Sequence, residues 1–454
     1  MRSWQDSDVL SFLGKEAPRY TSYPSAHHFS ELGHDTYAGW LKSLRPDASV
    51  ALYLHIPFCE QMCYFCGCNT RATRRYEPVS AYVDALCAEI RLVTRTIGYA
   101  PLVHAVHFGG GSPSMLEPAD LGRILEALDA GFLIAEGAEI SIELDPRHVT
   151  QRKVEAYKAL SFNRVSMGIQ DTNPDVQKAI NRIQPLEQIA TAFDILRSHD
   201  LNAIGIDMVY GLPFQTRETL IQTLEDIHDL NPDRISAFSY AHVPWVKKHQ
   251  TLINTQALAN TVEKAAMFMQ ISDYFVQHGY EAVGIDHFAK PEDTLAMCQA
   301  SGTMRRNFMG YSTLPNDNLI GLGASSIGEF SGGIAQNIAQ VTPYLNRIKS
   351  EELATVRGWV YRDDDKLRKA VISALMCTFS ADVGNILIDY AYNPDYFDVE
   401  LAELAPFIAA GIVSVERRKI TFFSPYKMLI RSVACIFDTY AQQTNEANRY
   451  SKVA

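Results

Sequence analysis

The sequence predicts an α/β protein: a partial (βα)6 barrel with an N-terminal arm and a small, mostly helical, winged-helix-like C-terminal domain. Three observations carry the prediction: short, almost continuously apolar runs recur, helix-like segments separate them, and the pattern changes after about residue 350. Runs that are apolar throughout suit strands covered on both faces of a parallel sheet. Strand–helix units in series imply right-handed crossovers, and six of them fall short of the eight that close a full barrel.

Taken in order, the arm (1–45) contains PRYTSYP at 18–24, with prolines and aromatics but no helix or strand period. The barrel with its extension (46–350) carries strands expected at 50–56, 103–108, 139–144, 164–169, 204–209 and 234–239. Helices are expected between them at 79–95, 118–130, 150–160, 185–199 and 217–230. Asn231-Pro-Asp stops the last of these, and Gly131 closes another. In the C-terminal domain (351–454), Arg362-Asp-Asp-Asp365 reads as a start for a helix over 366–379. The run 410–423 reads as a helical segment turning into a β-hairpin.

Composition narrows the function classes. The chain has 454 residues, 47% hydrophobic and 20% charged, ordinary values for a globular protein with a real core. No apolar stretch reaches the roughly 20 residues that span a bilayer, and the first residues lack the basic start and apolar run of a signal peptide. The expected compartment is the cytoplasm. A net charge of -11 argues against nucleic-acid and anionic-membrane partners. Of the 8 cysteines, Cys87, Cys298, Cys377 and Cys435 are scattered and read as small buried residues. The other four crowd between Cys59 and Cys68.

Reactive groups of parallel barrels gather at the carboxyl ends of strands. The first strand runs into Pro57-Phe58-Cys59, then Cys63, Cys66, Gly67 and Cys68. Thiolates at this spacing suit zinc or an iron–sulfur cluster. Structural zinc usually takes two separated Cys-x-x-Cys knuckles, and no second knuckle follows. The spacing would also place three cysteines on one helix face, but Pro57 and Gly67 favour a loop. The iron–sulfur reading therefore stands ahead of zinc, and both ahead of coincidence. Three ligands would leave one iron open to a further group.

The pattern C-x3-C-x2-C after a first strand resembles the signature of the radical S-adenosylmethionine (SAM) superfamily. The remaining motifs resemble the oxygen-independent coproporphyrinogen III oxidases (coproporphyrinogen dehydrogenases) of haem biosynthesis. They are PRYTSYPSA, YLHIPFC, CYFCGCN, HFGGGSPS, ISIELDPR, SMGIQD, INRIQ, DMVYGLPFQT, NPDRISAFSYAHVP, DHFAKP, RNFMGYST and FDTY, and they run through nearly the whole chain. The resemblance implies a partial (βα)6 radical SAM barrel, a [4Fe-4S] cluster held by Cys59, Cys63 and Cys66, and two SAM molecules. By motif, Tyr53, Gly110, Glu143, Ala241 and Ile327 would contact the SAM that coordinates iron. Phe65, Gly111, Ser112, Gln170, Arg182 and Asp207 would contact the second.

Read without the resemblance, several of these residues have plainer roles. Gly109-Gly-Gly111 could be a tight turn, Glu143 a surface partner of Arg147, and Asp207 the cap of the Gly211-Leu-Pro turn. Arg182 could be a solvated helix residue, while Tyr53 and Phe65 could be packing residues. Histidines 55, 104, 107, 242 and 287 form no recognised metal spacing and read as core or hydrogen-bonding residues.

The implied reaction converts two propionate side chains of coproporphyrinogen III to vinyl groups, giving protoporphyrinogen IX, through a SAM-derived 5′-deoxyadenosyl radical. Implied partners are a one-electron donor such as a flavodoxin or ferredoxin and a final electron acceptor; the chain is expected to be a monomer working without oxygen. The substrate's carboxylates call for cations, with Arg19, Arg305 and Arg306 as candidates and the arm as a lid. Two departures from the family pattern are Met309, where many members have Gln, and Ser112 in place of Thr. Cys68 is expected not to ligate iron. A haem-binding chaperone or haem-modifying radical SAM protein on the same scaffold is the alternative. Such chaperones usually carry Phe at the Cys68 position, lack the PRYTSYP arm, and show an HNxxYW motif that is absent here.

Overall fold

The computed structural model describes residues 11–313, 318–362, 364–423 and 426–442. The first ten residues of the arm, Asp363 of the expected helix start, and the last residues of the C-terminal domain lie outside that set. All six expected strands form: β1 (Ser49–Ile56), β2 (Leu102–Gly110), β3 (Leu133–Leu144), β4 (Arg164–Gln170), β5 (Ala203–Tyr210) and β6 (Arg234–Ser239). They lie side by side in chain order, every neighbouring pair parallel.

The helices α1 (Glu77–Ile97), α2 (Pro118–Asp129), α3 (Gln151–Ala159), α4 (Leu186–Ser198) and α5 (Arg217–Leu230) occupy the five connections. Their apolar stripes explain their placement. Helix α1, for example, buries Val79, Val83, Leu86, Ile90 and Val93 on one face, each worth about 1.5–3 kcal/mol of transfer free energy. Asn231 ends α5 in the left-handed region at φ 52°, the conformation its Asn-Pro-Asp context suggests.

The sheet extends past the expected barrel on both sides. Helix α6 (Thr261–Gln277) leads to β7 (Glu281–Val283) and β8 (His287–Ala289), and β8 pairs antiparallel with β6. On the other side β9 (Leu319–Leu322) lies parallel to β1. Beyond it follow β10 (Ile327–Phe330), β11 (Gly333–Asn337) and β12 (Thr355–Val360), all antiparallel. The arm's Ser30–Glu31 pairs with β12 and completes a 13-stranded sheet. Thus β12, on the C-terminal side of residue 350, hydrogen-bonds into the barrel's sheet.

After it, α7 (Asp365–Thr378) packs beside a small antiparallel sheet of Ser380–Asp382, Lys419–Phe422 and Val413–Glu416. One hydrophobic core runs from Phe12 and Tyr23 of the arm through the barrel to Phe437. No helix among the described residues is long and apolar enough to cross a membrane.

The barrel's inner face is polar because of register. Tyr53 pairs with His107, His107 with Ser141, Glu143 with Ser166, Gly168 with Asp207, and Asp207 with Ser236. Residues opposite one another in a ladder share a face. The side chains of this row therefore point into one lumen, while Leu52, Val106, Ile142, Val165 and Ile206 pack outward beneath the helices.

Candidate active site

The polar row opens onto a cavity of about 680 Å³. Phe65, Glu143, Gln170, Asp207 and Ala241 line it, together with Cys68, His107, Met309 and Arg19. Sequence positions drawn from five strand ends and the cysteine loop thus meet in one place.

Glu143 is held at the end of β3. Its carboxylate accepts the Gly110 N–H at 3.0 Å and lies 3.3 Å from His107 Nε2. Burial opposes its ionisation, but His107 and the Gly110 amide outweigh burial and hold the pKa below the ordinary value. A side chain at Gly109 would sit 2.8 Å from the Glu143 carboxylate oxygen, so only glycine lets the two approach. The surface pairing with Arg147 does not form, because Arg147 turns to Asp145 at 2.7 Å.

Asp207 likewise faces the lumen. Burial, reinforced by the nearby Glu143 charge, raises its pKa to about 6. The turn at Gly211 is capped by Gln215, whose side-chain oxygen accepts the Gly211 N–H at 2.6 Å.

The cysteine loop is pinned from several sides. The Asn181 amide donates to the Met62 carbonyl, and Tyr64 N–H to the Ile180 carbonyl, both at 2.9 Å. His249 Nε2 meets the Cys66 carbonyl at 2.7 Å, Gln250 donates to the Phe65 carbonyl, and Lys247 to that of Cys68. Among the described residues, no three His, Cys, Asp or Glu side chains converge on one point as a single metal ion requires. A four-iron cluster spreads its thiolates over separate corners. Several thiols in one short loop are soft donors of the kind an iron–sulfur cluster takes, so the donor set fits a cluster by its chemistry.

Cys59 lies 3.2 Å from the Thr70 hydroxyl, and burial pushes its thiol up to about 12. The Cys66 thiol is lowered chiefly by a hydrogen bond from Cys68, whose own pKa rises correspondingly. Cys68 thus has a partner in the loop as well as a place on the cavity wall.

Arg182 is buried, not solvated. Its guanidinium pairs with Asp145 at 3.2 Å, donates to the Gly168 carbonyl at 2.8 Å, and approaches the Cys63 sulfur at 3.5 Å. Tyr53 stands behind the wall, with its hydroxyl 3.0 Å from His55 Nδ1 and its ring stacked on His107. Gly111 and Ser112 brace the loop through N–H bonds to the Ile56 and Phe58 carbonyls. The Ser112 hydroxyl is taken by Ser114 at 2.6 Å. Ile327 is outside the lining: its side chain packs with Phe29, Ile334 and Trp359.

Among the cation candidates, Arg19 lines the cavity and donates to the Ser239 carbonyl at 3.0 Å. Arg306 donates to the Arg19 carbonyl and stacks on Tyr311 at 4.4 Å. Its Nε and Nη1 are buried without a hydrogen-bond partner. Arg305 is exposed.

Sequence reasoning read His107 only as a core or hydrogen-bonding residue; its place opposite Tyr53 on the lumen face follows from the strand register, which no local pattern announces. The same reasoning missed Lys247, His249 and Gln250, which lie in an irregular segment with no periodicity to read. At the lower end of the lumen Arg164 and Arg234 share Asp293, and Arg164 also pairs with Glu139.

Residues 53–227 match the family model of the Radical SAM superfamily. The oxygen-independent coproporphyrinogen III oxidase of Bradyrhizobium diazoefficiens is 41% identical over 433 residues, covering 95% of this chain and 96% of its own length. A protein of the same description from Escherichia coli is 37% identical, covering 99% of this chain and 98% of its own. A solved structure of E. coli coproporphyrinogen III oxidase, described as a radical SAM enzyme, superposes with a TM-score of 0.89. That match has 36% sequence identity and covers 94% of this chain and 100% of the other.

Proposed function

The chain belongs to the radical SAM superfamily and, within it, to the oxygen-independent coproporphyrinogen III oxidases; from that premise we propose that it converts coproporphyrinogen III to protoporphyrinogen IX. The family works with a [4Fe-4S] cluster and SAM, which when bound supply one-electron cleavage of SAM and a hydrogen-abstracting 5′-deoxyadenosyl radical. Each of two propionates loses a hydrogen atom, an electron and CO2, and a vinyl group remains. The electron goes to a final acceptor.

The observation that carries this reading is the meeting of Phe65, Glu143, Gln170, Asp207 and Ala241 around one cavity against the cysteine loop. Cys59, Cys63 and Cys66 hold one cluster. Glu143, already ionised and fixed by Gly110 and His107, receives the amino group of the first SAM through a charge-assisted bond. Tyr53, Gly110 and Ala241 belong to the same cradle by motif; Ile327 does so by motif alone, since its side chain packs away from the cavity. Phe65, Gly111, Ser112, Gln170, Arg182 and Asp207 serve the second SAM.

Arg19, at the cavity wall, takes a substrate carboxylate, and Arg306 stands behind it, donating to the Arg19 carbonyl. Met309 makes that part of the wall apolar, packing near Ala51, Ala105 and Leu319. The arm closes the site against water. A flavodoxin- or ferredoxin-type donor, a monomeric state and a cytoplasmic location belong to the same proposal.

The test is anaerobic turnover after reconstitution with iron and sulfide, following methionine, 5′-deoxyadenosine and porphyrin product together. Protoporphyrinogen that disappears in Cys59→Ala is the expected result. SAM cleavage with untouched porphyrinogen would refute the substrate. Tight haem binding without SAM cleavage would favour the chaperone alternative.

A further inference from the structure

We propose that the solvent side of the cysteine loop is the docking surface for a small acidic one-electron donor protein. This rests on the proposed function, which requires an electron at that loop, and it assigns the place and chemistry of the contact.

The whole chain carries a net charge of -11, yet both flanks of the loop are basic. On one flank, the strand Arg71–Ala72 pairs with Phe58–Cys59, and Thr73 N–H donates to the Cys59 carbonyl at 2.8 Å. Arg74 and Arg75 follow directly and are exposed. On the other flank, Lys247 donates to the Cys68 carbonyl at 2.9 Å and Lys248 is exposed beside it. Among the described residues, none of these four cations has a carboxylate within ion-pair distance, whereas the exposed Arg123 and Arg152 each pair with one.

Next to the lysines, Trp245 is 59% and Val246 62% exposed. Solvated charge needs no apolar neighbour. Exposed tryptophan within a basic rim is the composition of an interaction hot spot. The complement is an acidic surface, and a charge-matched encounter raises association rate where the rest of this chain repels anions. The lysine flank is tied by hydrogen bonds to the carbonyls of the loop itself, so a partner seated there lies against the cysteine loop. One electron leaves the reduced donor, which ends one electron more oxidised, and enters at the loop.

The probe is an acidic flavodoxin in its hydroquinone form. Its binding to the reconstituted holoenzyme is measured directly by calorimetry at low and high salt. The charge-reversed variant Arg74→Glu/Arg75→Glu/Lys248→Glu should bind it at least about tenfold more weakly. Salt should weaken the wild-type complex and hardly affect the variant's. Turnover driven by dithionite, which needs no docking, should stay within about twofold, while flavodoxin-driven turnover falls with affinity. If the triple variant fails to fold, Arg74→Gln/Lys248→Gln is measured in the same way.

Wild-type holoenzyme that does not bind flavodoxin, or binding that ignores both salt and charge reversal, overturns the proposal. So does light scattering that shows the patch, through Trp245→Ala, to hold a second copy of this chain instead. Failure of dithionite-driven porphyrinogen turnover in the wild type speaks against the proposed function alone, because docking is read by calorimetry.

Discussion

The Arg182 guanidinium neutralises Asp145, caps the Gly168 carbonyl and touches the Cys63 sulfur at once. Removing one partner of a buried pair typically costs 3–5 kcal/mol, but Asp145 keeps Arg147. Arg182→Met should therefore destabilise the apo-protein by about 2–3 kcal/mol in urea unfolding, with Arg182→Lys recovering part of the loss. Unchanged stability in Arg182→Met would mean that the ion pair is not formed in solution. Read from residues alone, Arg182 was a solvated helix residue, because INRIQ has no apolar period to mark burial. The resemblance placed it near the site, and the fold explains why: the segment after Pro174–Ala179 doubles back beneath the cysteine loop. Glu143 and Asp207 were ambiguous for the opposite reason. Each had a nearby partner in sequence, Arg147 and the Gly211 turn, and only the strand register decides that both face the lumen.

Elements were more legible than residues where they were long. Helix α5 and strand β6 fall where expected, and α1 begins two residues earlier and ends two later. An extension to the barrel was expected, but its strands β9–β12 and the arm helix His34–Lys42 were not. Strands β9–β11, of four or five residues, carry too few alternations to stand out from loops, and LIGL and GIAQN have no alternation at all.

What ties α1 to that extension is Glu89, whose carboxylate accepts the Gly323 N–H at 2.6 Å, the Asn337 amide at 2.7 Å and the Tyr344 hydroxyl at 2.7 Å. Burial raises its pKa from 4.5 to about 7, with the three hydrogen bonds limiting the rise. Between those values the folded chain keeps a proton that the unfolded chain has released. Stability from this group is thus full below the lower value and falls as pH rises through the window, by about 3 kcal/mol in all. Glu89→Gln, which cannot ionise, should flatten stability between about pH 5 and 7 in urea titrations and be relatively more stable at pH 8. An unchanged pH slope would remove Glu89 from the account.

At the scale of the whole molecule the two ends of the described chain meet over the site. The Tyr23 hydroxyl lies 3.3 Å from the Thr439 hydroxyl, and its ring is 5.8 Å from that of Tyr440. Arg431 donates to the Pro18 carbonyl at 3.0 Å. These contacts place Arg19 between the C-terminal domain and the cavity. They join residues over 400 positions apart, so neither PRYTSYP nor FDTY announced the other: each is irregular, and the pairing exists only once the barrel sets the distance.

In the proposed reaction the arm seals the porphyrinogen in, with the FDTY segment as its latch. Deleting residues 1–25 should leave SAM affinity within about threefold, because Glu143 and its partners stay in place. Porphyrinogen turnover should fall by at least about tenfold, and 5′-deoxyadenosine should form in excess over vinyl groups, as expected when a reactive site is left open to water. Asp438→Ala should do the same more weakly. Asp438 caps the Tyr440 and Ala441 amides, and losing such a cap costs about 1 kcal/mol, or roughly fivefold in the latched population. Product ratios measured anaerobically decide it. A truncated chain that turns over fully, with one 5′-deoxyadenosine per vinyl group, would show that the arm is a structural brace and that the barrel alone retains the substrate.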